Sequence, residues 1–161
     1  MNPDSALSAT LVNLCRQKKL KLSCAESCTG GLLAAGITAV PGASMVFPGS
    51  VVSYANEIKI KLLGVLPETL EEHGAVSEFC AEQMARGVAK LMGTELALSI
   101  TGIAGPDGGT EQKPVGTVFF GFFLNGTAWT ESMNFTGDRE RIRRQSVEFA
   151  LQMMINRCIR L

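Results

Sequence analysis

The chain contains three apolar, strand-like segments, and polar residues stand at the end of each of them. They cover residues 20–27, 45–55 and 95–104, and helical patterns lie between them. Strands that alternate with helices pair in parallel, because the connecting helix returns the chain to the same end of the sheet. A later segment, residues 116–136, has the pattern of a β-hairpin with an Asn-Gly turn. We therefore predict an α/β fold, a three-layer α/β/α domain with a mixed, mostly parallel sheet of about five strands, one of them antiparallel.

The length and charge of the chain limit its partners. Its 161 residues suit a single domain over 1–161, and a hydrophobic fraction of 46% provides for a core. Fifteen basic and fifteen acidic residues cancel, so no overall positive field would attract nucleic acid. The first residues lack the pattern of a signal peptide, and no apolar run is long enough to span a bilayer. We expect a cytoplasmic protein without nucleic-acid or membrane partners, and its five cysteines are expected to be reduced thiols.

Three polar segments follow the predicted strands and should meet at one edge of the sheet. They are AESCTGG (25–31), SYANEIK (53–59) and TGIAGPDGG (101–109). In open parallel sheets, ligands bind beside the carboxyl ends of the strands. The sequence therefore predicts that the functional residues lie in these three segments.

The first of these segments contains a candidate nucleophile, Ser27, at the end of a strand and before a helix. A serine there can attack an acyl carbon while amides near Thr29, Gly30 and Gly31 stabilise the oxyanion. The alternative is a serine that only caps the helix. Cys28 is a rival nucleophile, although the chain offers little that would activate it.

A nucleophilic serine needs a base, and two residue types are available. His73, the only histidine, lies at the end of a predicted helix, which favours a structural role. Lys59 lies in the first turn of a helix expected to have Asn56 as its N-cap, and it borders the apolar face of that helix. Burial and the helix dipole would both lower its pKa towards that of a base, although a lysine stem passing the core fits the pattern equally well. Tyr54 could relay a proton or bind a ligand, or simply pack with its hydroxyl in water.

The third segment and the start of the last helix could bind an anion. Thr101, Gly102 and Gly105 belong to a glycine-rich turn whose amides could hold a phosphate, although an ordinary connecting loop has the same composition. Arg139 and Arg143 lie in the first two turns of the last predicted helix, where cations are disfavoured by the dipole unless an anion is bound. A solvated charged face is the alternative for these arginines.

Together these motifs resemble the CinA C-terminal domain family. The matching stretches span residues 25 to about 145 and read AESCTGGLLAA, FPGSVVSYANEIKIKLLGV, HGAVSE, TGIAGPDGGTEQKPVGTV and FTGDRERIRRQ. The resemblance implies a three-layer α/β/α fold and hydrolysis of nicotinamide mononucleotide to nicotinate mononucleotide and ammonia, in pyridine-nucleotide recycling. It also implies a serine nucleophile with a lysine base, and neither a metal nor a cofactor.

On the matching positions, the resemblance makes Ser27 the nucleophile and Lys59 the base, with Tyr54 in support. The candidate substrate-binding residues are Thr29, Gly30, Gly31, Asn56, Thr101, Gly102, Gly105, Arg139 and Arg143. The expected partner is a small nucleotide substrate, and apolar residues on the hairpin favour a homodimer. Longer family members carry an N-terminal domain that resembles a molybdopterin-binding fold, and we expect this chain to lack it.

Two other functions are compatible with the same motifs. One is a catalytically silent, nucleotide-binding paralogue that acts as a sensor or scaffold in the competence and DNA-damage response. The other is amide hydrolysis on a different pyridine or nucleotide. Detection of the reaction product would separate both from the main prediction.

Overall fold

A computed structural model describes residues 3–161, with side chains from residue 5 onwards. Within these residues lie five strands, six α-helices and a short 3₁₀ turn at Ala43–Met45. The helices are α1 (Pro3–Lys18), α2 (Leu32–Thr38), α3 (Asn56–Leu63), α4 (Pro67–His73), α5 (Glu78–Met92) and α6 (Arg139–Ile159). The strands are β1 (Leu22–Glu26), β2 (Gly49–Val52), β3 (Leu96–Gly102), β4 (Thr117–Leu124) and β5 (Thr127–Asn134).

The strands form one sheet in the order β2-β1-β3-β4-β5. β1 pairs in parallel with β2 and with β3, whereas β4 is antiparallel to both β3 and β5. Only β4 among these five strands therefore runs against the others, which confirms the predicted mixed sheet with one antiparallel strand. The hairpin turn is also as predicted, because Asn125 and Gly126 both have positive φ angles (47° and 89°).

Helices cover both faces of the sheet and enclose two apolar cores. α1, α2 and α6 pack together on one face, where the larger core includes Leu22, Cys24 and Phe120. α5 packs on the opposite face over a smaller core that includes Ala25 and Met84. Successive residues of β1 thus belong to different cores, as expected for a strand buried on both faces. None of the described helices combines the length and the apolar character that a membrane crossing requires.

Helix α5 also fixes the position of α3. A Cβ atom at Gly87 of α5 would overlap the carbonyl oxygen of Leu63, the last residue of α3. Because Gly87 has no side chain, the backbone of α5 can lie directly against the backbone of α3 at this point. This close approach matters because α3 carries Lys59.

Two local predictions around β2 are wrong. The strand covers only Gly49–Val52 rather than 45–55, because the 3₁₀ turn occupies the residues before it and the chain then leaves the sheet towards α3. Asn56 is not the N-cap of α3. Ala55 occupies that position with extended backbone angles (φ −86°, ψ 148°), and no side chain caps the helix.

Candidate active site

The segment that joins β1 to α2 is a tight turn around Ser27. The Ser27 amide donates to the Ile100 carbonyl of β3 (2.9 Å), and the Gly30 amide donates to the Ser27 carbonyl (3.0 Å). Gly30 and Gly31 have φ angles of 59° and 103°, which side-chain-bearing residues rarely adopt. We call residues 27–31 the nucleophile loop. The hydrogen bond to β3 holds half-buried Ser27 at the carboxyl edge of the sheet.

A buried carboxylate, Glu26, anchors this loop and was not identified from the sequence. Its two oxygens accept hydrogen bonds from the amides of Leu33 (2.9 Å) and Ala34 (3.1 Å) at the start of α2. These amides have no partner within the helix, and the helix dipole favours a negative charge there. The Glu26 carbonyl also accepts from the Ser53 amide (2.8 Å), so this residue joins β1, α2 and the end of β2.

Lys59 reaches Ser27 from the first turn of α3. Its side chain is only 1% exposed, and its Nζ lies 3.1 Å from Ser27 Oγ, 2.5 Å from the Ser53 carbonyl and 3.4 Å from the Tyr54 carbonyl. Carbonyl oxygens can only accept hydrogen bonds. A neutral amine would direct its two N–H groups at them and keep its lone pair for the hydroxyl proton of Ser27. The arrangement therefore suits a lysine that receives this proton.

The surroundings of Lys59 favour its neutral form. Burial lowers its pKa from the usual 10.5, and no ion pair offsets this effect among the described side chains. The titratable groups whose charge acts on the Lys59 pKa are the Cys28 and Cys80 thiols, and burial raises the pKa of each to about 11. Both thiols are therefore protonated near neutral pH. This leaves Lys59 without a counter-ion and makes Cys28 a poor nucleophile.

The lowered pKa has a consequence for stability that does not depend on activity. Between its folded pKa and the unfolded value of 10.5, Lys59 binds fewer protons in the native state, so its contribution to stability falls as the pH falls through the folded pKa. We therefore compare the free energy of unfolding of the wild type with that of Lys59→Met. As the pH rises from neutral towards 10.5, the difference should change in favour of the wild type. Urea denaturation at several pH values measures this. The exposed Lys61→Met is the control, and parallel curves for wild type and Lys59→Met would contradict the lowered pKa.

A cleft of about 230 Å³ lies beside the nucleophile loop. Arg139 crosses it, donating from Nη1 to the Gly105 carbonyl (2.7 Å) and from Nη2 to Tyr54 Oη (3.2 Å). Three parts of the chain thus meet here: the connection after β2, the glycine-rich turn and the start of α6. The lining residues are Cys28, Tyr54, Gly102, Ile103, Ala104, Gly105, Asp107, Gly108 and Arg139. Asp107 was not singled out from the sequence, because an Asp in a glycine-rich turn is ordinary turn chemistry.

The other candidate residues occupy different environments. The Thr101 hydroxyl donates to the Ala75 carbonyl (2.8 Å). The Thr29 hydroxyl is buried and makes no hydrogen bond within the part of the chain that the structure describes. Asn56 is exposed at the start of α3. His73 stacks on Phe79 with 4.1 Å between ring centroids, which accords with the structural role expected for it.

The amides expected to hold an oxyanion are not equivalent. The Gly30 amide is already used by the Ser27 carbonyl (3.0 Å). The amides of Cys28, Thr29 and Gly31 donate to no main-chain carbonyl within residues 3–161. The Cys28 amide contacts its own thiol, so the amides of Thr29 and Gly31 are the available donors of the nucleophile loop.

The second candidate arginine does not take part in the cleft. Arg143 donates from Nε to the Cys28 carbonyl (3.0 Å) and from Nη2 to the Thr29 carbonyl (2.9 Å). Its guanidinium thus contacts the main chain of the nucleophile loop. Of the two arginines, Arg139 is the one whose guanidinium lines the cleft.

Comparison with known proteins identifies close relatives over the whole site. Residues 4–158 match the CinA C-terminal domain family. The chain is 51% identical over 140 residues to a CinA-like protein of Dictyoglomus turgidum, covering 87% of this chain and 34% of the relative. It is 49% identical over 151 residues to a CinA-like protein of Kosmotoga olearia, covering 94% of this chain and 37% of the relative. The chain therefore spans about a third of the length of these curated relatives.

Two solved structures match nearly the full length on both sides. A competence-damaged protein (CinA) superfamily protein from Klebsiella pneumoniae superimposes with a TM-score of 0.95 at 36% identity, covering 98% of this chain and 99% of that one. A competence/damage inducible protein from Agrobacterium tumefaciens gives a TM-score of 0.92 at 39% identity, covering 95% and 94%.

Proposed function

Since the chain belongs to the family of CinA C-terminal domains, we propose that it hydrolyses the carboxamide of nicotinamide mononucleotide to nicotinate mononucleotide and ammonia. The observation that carries this proposal is the contact of 3.1 Å between Ser27 Oγ and the buried Nζ of Lys59. A serine beside a desolvated lysine is an activated nucleophile, and acyl transfer is the chemistry that it suits. The identity of the acyl group comes from the family resemblance of the motifs.

The reaction begins with attack of Ser27 Oγ on the carboxamide carbon. Lys59, neutral before the reaction, takes the hydroxyl proton as the new C–O bond forms. The carbonyl oxygen becomes an oxyanion, which free amides of the nucleophile loop stabilise. The protonated lysine then returns its proton to the amide nitrogen, the C–N bond breaks and ammonia leaves.

Water completes the reaction by hydrolysing the acyl-serine ester. Lys59 takes a proton from the attacking water and returns it to Ser27 Oγ as the ester bond breaks, which releases nicotinate mononucleotide. In each half of the reaction, Lys59 therefore acts first as a general base and then as a general acid.

The phosphate of the substrate would bind Arg139. This guanidinium lines the cleft, and the glycine-rich turn beside it exposes main-chain amides. A volume of about 230 Å³ is small for a nucleotide, so part of the substrate would lie outside the cleft, across exposed Tyr54 and Asp107. Binding of the distant phosphate would then orient the carboxamide towards Ser27.

The proposal is tested by incubating chelator-treated protein with nicotinamide mononucleotide and measuring ammonia together with the acid product. We expect both products in equal amounts, since one water is consumed for each amide cleaved. Absence of both, while the nucleotide still raises the melting temperature, would contradict the proposal and favour a nucleotide-binding sensor. If ammonia is released only from a different pyridine amide, that amide is the substrate and nicotinamide mononucleotide is not.

A further inference from the structure

Arg143 connects α6 to the nucleophile loop through two neighbouring carbonyl oxygens. Its Nε donates to the carbonyl of Cys28 (3.0 Å) and its Nη2 to that of Thr29 (2.9 Å). Hydrogen bonds from a guanidinium are charge-assisted, and its planar fork fixes the direction of both acceptors. These contacts are partly buried, so water competes with them only in part.

The two carbonyl directions determine where the following amides point. In a trans peptide, the C=O and the next N–H lie in one plane and point in opposite directions. The Thr29 carbonyl faces Arg143, and the Gly30 amide of the same peptide accordingly points to the Ser27 carbonyl (3.0 Å). The Cys28 carbonyl also faces Arg143, so the Thr29 amide must point away from the guanidinium. This amide has no main-chain acceptor within residues 3–161.

We propose that Arg143 is a positioning residue that holds the Thr29 amide as an oxyanion donor for Ser27, an inference that rests on the proposed acyl-transfer function. An oxyanion donor is effective only when its direction is fixed before the reaction. The nucleophile loop contains two glycines with positive φ angles, and within residues 3–161 the peptide between Cys28 and Thr29 makes no main-chain hydrogen bond. Arg143 fixes the orientation of this peptide by binding its carbonyl oxygen, on the side opposite to the Thr29 amide.

This role also accounts for a cation near the start of a helix. The dipole of α6 disfavours positive charge in its first turns, and a bound phosphate was one expected compensation. For Arg143, hydrogen bonds to two main-chain carbonyls offset this unfavourable interaction with the dipole, and no ligand is needed. Arg143 and Arg139, four residues apart on one face of α6, thus have separate tasks, with Arg139 at the cleft and Arg143 at the loop.

The steady-state test compares Arg143→Ala and Arg143→Lys with wild type, using nicotinamide mononucleotide and the corresponding nucleoside without its phosphate. Arg144→Ala is the matched control, because this neighbouring arginine is exposed and forms a surface ion pair with Glu140. We expect Arg143→Ala to lower kcat by about 100-fold on both substrates, with KM changed by less than about threefold. Guanidinium ions at non-denaturing concentrations should restore part of kcat. Arg143→Lys, which keeps the charge but loses the fork, should remain impaired.

A phosphate-binding role would give a different pattern. KM for the mononucleotide would then rise, Arg143→Lys would retain most of the affinity, and the nucleoside would be unaffected. That pattern would overturn the inference, as would a kcat of Arg143→Ala equal to that of Arg144→Ala. Melting curves identify any variant whose loss of kcat reflects unfolding, and rescue by guanidinium then excludes a purely structural role.

A second readout separates this inference from the choice of substrate. A fluorophosphonate forms an Oγ–P bond with an activated serine as fluoride leaves and Lys59 takes the hydroxyl proton, and its phosphoryl oxygen needs the same oxyanion donors. Intact-mass analysis should show labelling of wild type, none of Ser27→Ala and slower labelling, by about 100-fold, of Arg143→Ala. If wild type is labelled faster than Arg143→Ala but releases no ammonia, the proposed substrate is rejected and the role of Arg143 is retained. Equal labelling rates of wild type and Arg143→Ala would overturn that role.

Discussion

Replacement of Ser27 by alanine should lower the rate of ammonia release by at least about 1,000-fold and leave the fold intact. The substitution removes the attacking oxygen, while the loop amides and Lys59 stay in place. Ser27 Oγ is half-buried and hydrogen-bonds to Lys59, whose Nζ keeps two carbonyl acceptors in the variant. The melting temperature should therefore change by only a few degrees. Ammonia release and a thermal melt on the same preparation measure both effects.

Cys28→Ala provides the comparison for this result, since Cys28 is the adjacent rival nucleophile. Burial raises the pKa of its thiol to about 11, so almost none of it is thiolate near neutral pH. We expect this variant to keep activity within about tenfold of wild type, the loss arising from the removed side-chain volume at the cleft. The reverse pattern, with activity lost in Cys28→Ala and kept in Ser27→Ala, would assign the role of nucleophile to Cys28 and contradict the proposal for Ser27.

Replacement of Gly87 by alanine should destabilise the protein by about 3 kcal/mol, at the upper end of typical overpacking costs. The added Cβ would overlap the carbonyl oxygen of Leu63, and backbone cannot swing aside as the end of a flexible side chain can. For a domain of this size the loss corresponds to a fall of roughly 10 °C in melting temperature. Denaturation by urea gives the free energy, and calorimetry gives the temperature.

The effect should extend to activity, because relief of the overlap requires α3 to move away from α5 and Lys59 moves with α3. The matched control is Gly36→Ala, the same change inside α2. There the new Cβ would meet only the Ser8 hydroxyl at 3.2 Å, and the better helix propensity of alanine offsets that contact. Equal stability of Gly87→Ala and Gly36→Ala would show that the two helices repack without cost.

The sheet and the Ser27–Lys59 contact were predictable for the same reason. Polar residues after apolar strands converge at one edge of a parallel sheet, whatever the details of packing. Ser27 and the segment that leads to Lys59 both follow such strands, so their proximity depends on topology alone. The apolar neighbours of Lys59 on α3 placed it at the border of the apolar face, a pattern that fitted a lysine stem passing the core equally well.

The remaining parts of the site involve main-chain partners, which leave no pattern in a sequence. Glu26 binds amides seven and eight residues further along, beyond the spacing of any local capping motif. Arg143 binds carbonyls, and every residue has one, so a phosphate was an equally reasonable partner for it. The N-cap of α3 was misplaced at Asn56 because an asparagine is a strong cap, whereas the backbone angles that define the cap occur at Ala55.

The parallel register of β1 and β2 has a consequence for how this chain can change in length. Glu26 lies opposite Val52, and the residue after Val52 supplies the carbonyl that binds Lys59. One residue inserted within the first turn of α3, before Lys59, would turn the lysine by about 100° around the helix, away from Ser27. Insertions in residues 39–47 lie before β2, at the end of the strand far from Lys59. They leave the number of residues between β2 and Lys59 unchanged. Homologous chains that keep the chemistry should therefore vary in length before β2 and remain free of gaps between β2 and the lysine.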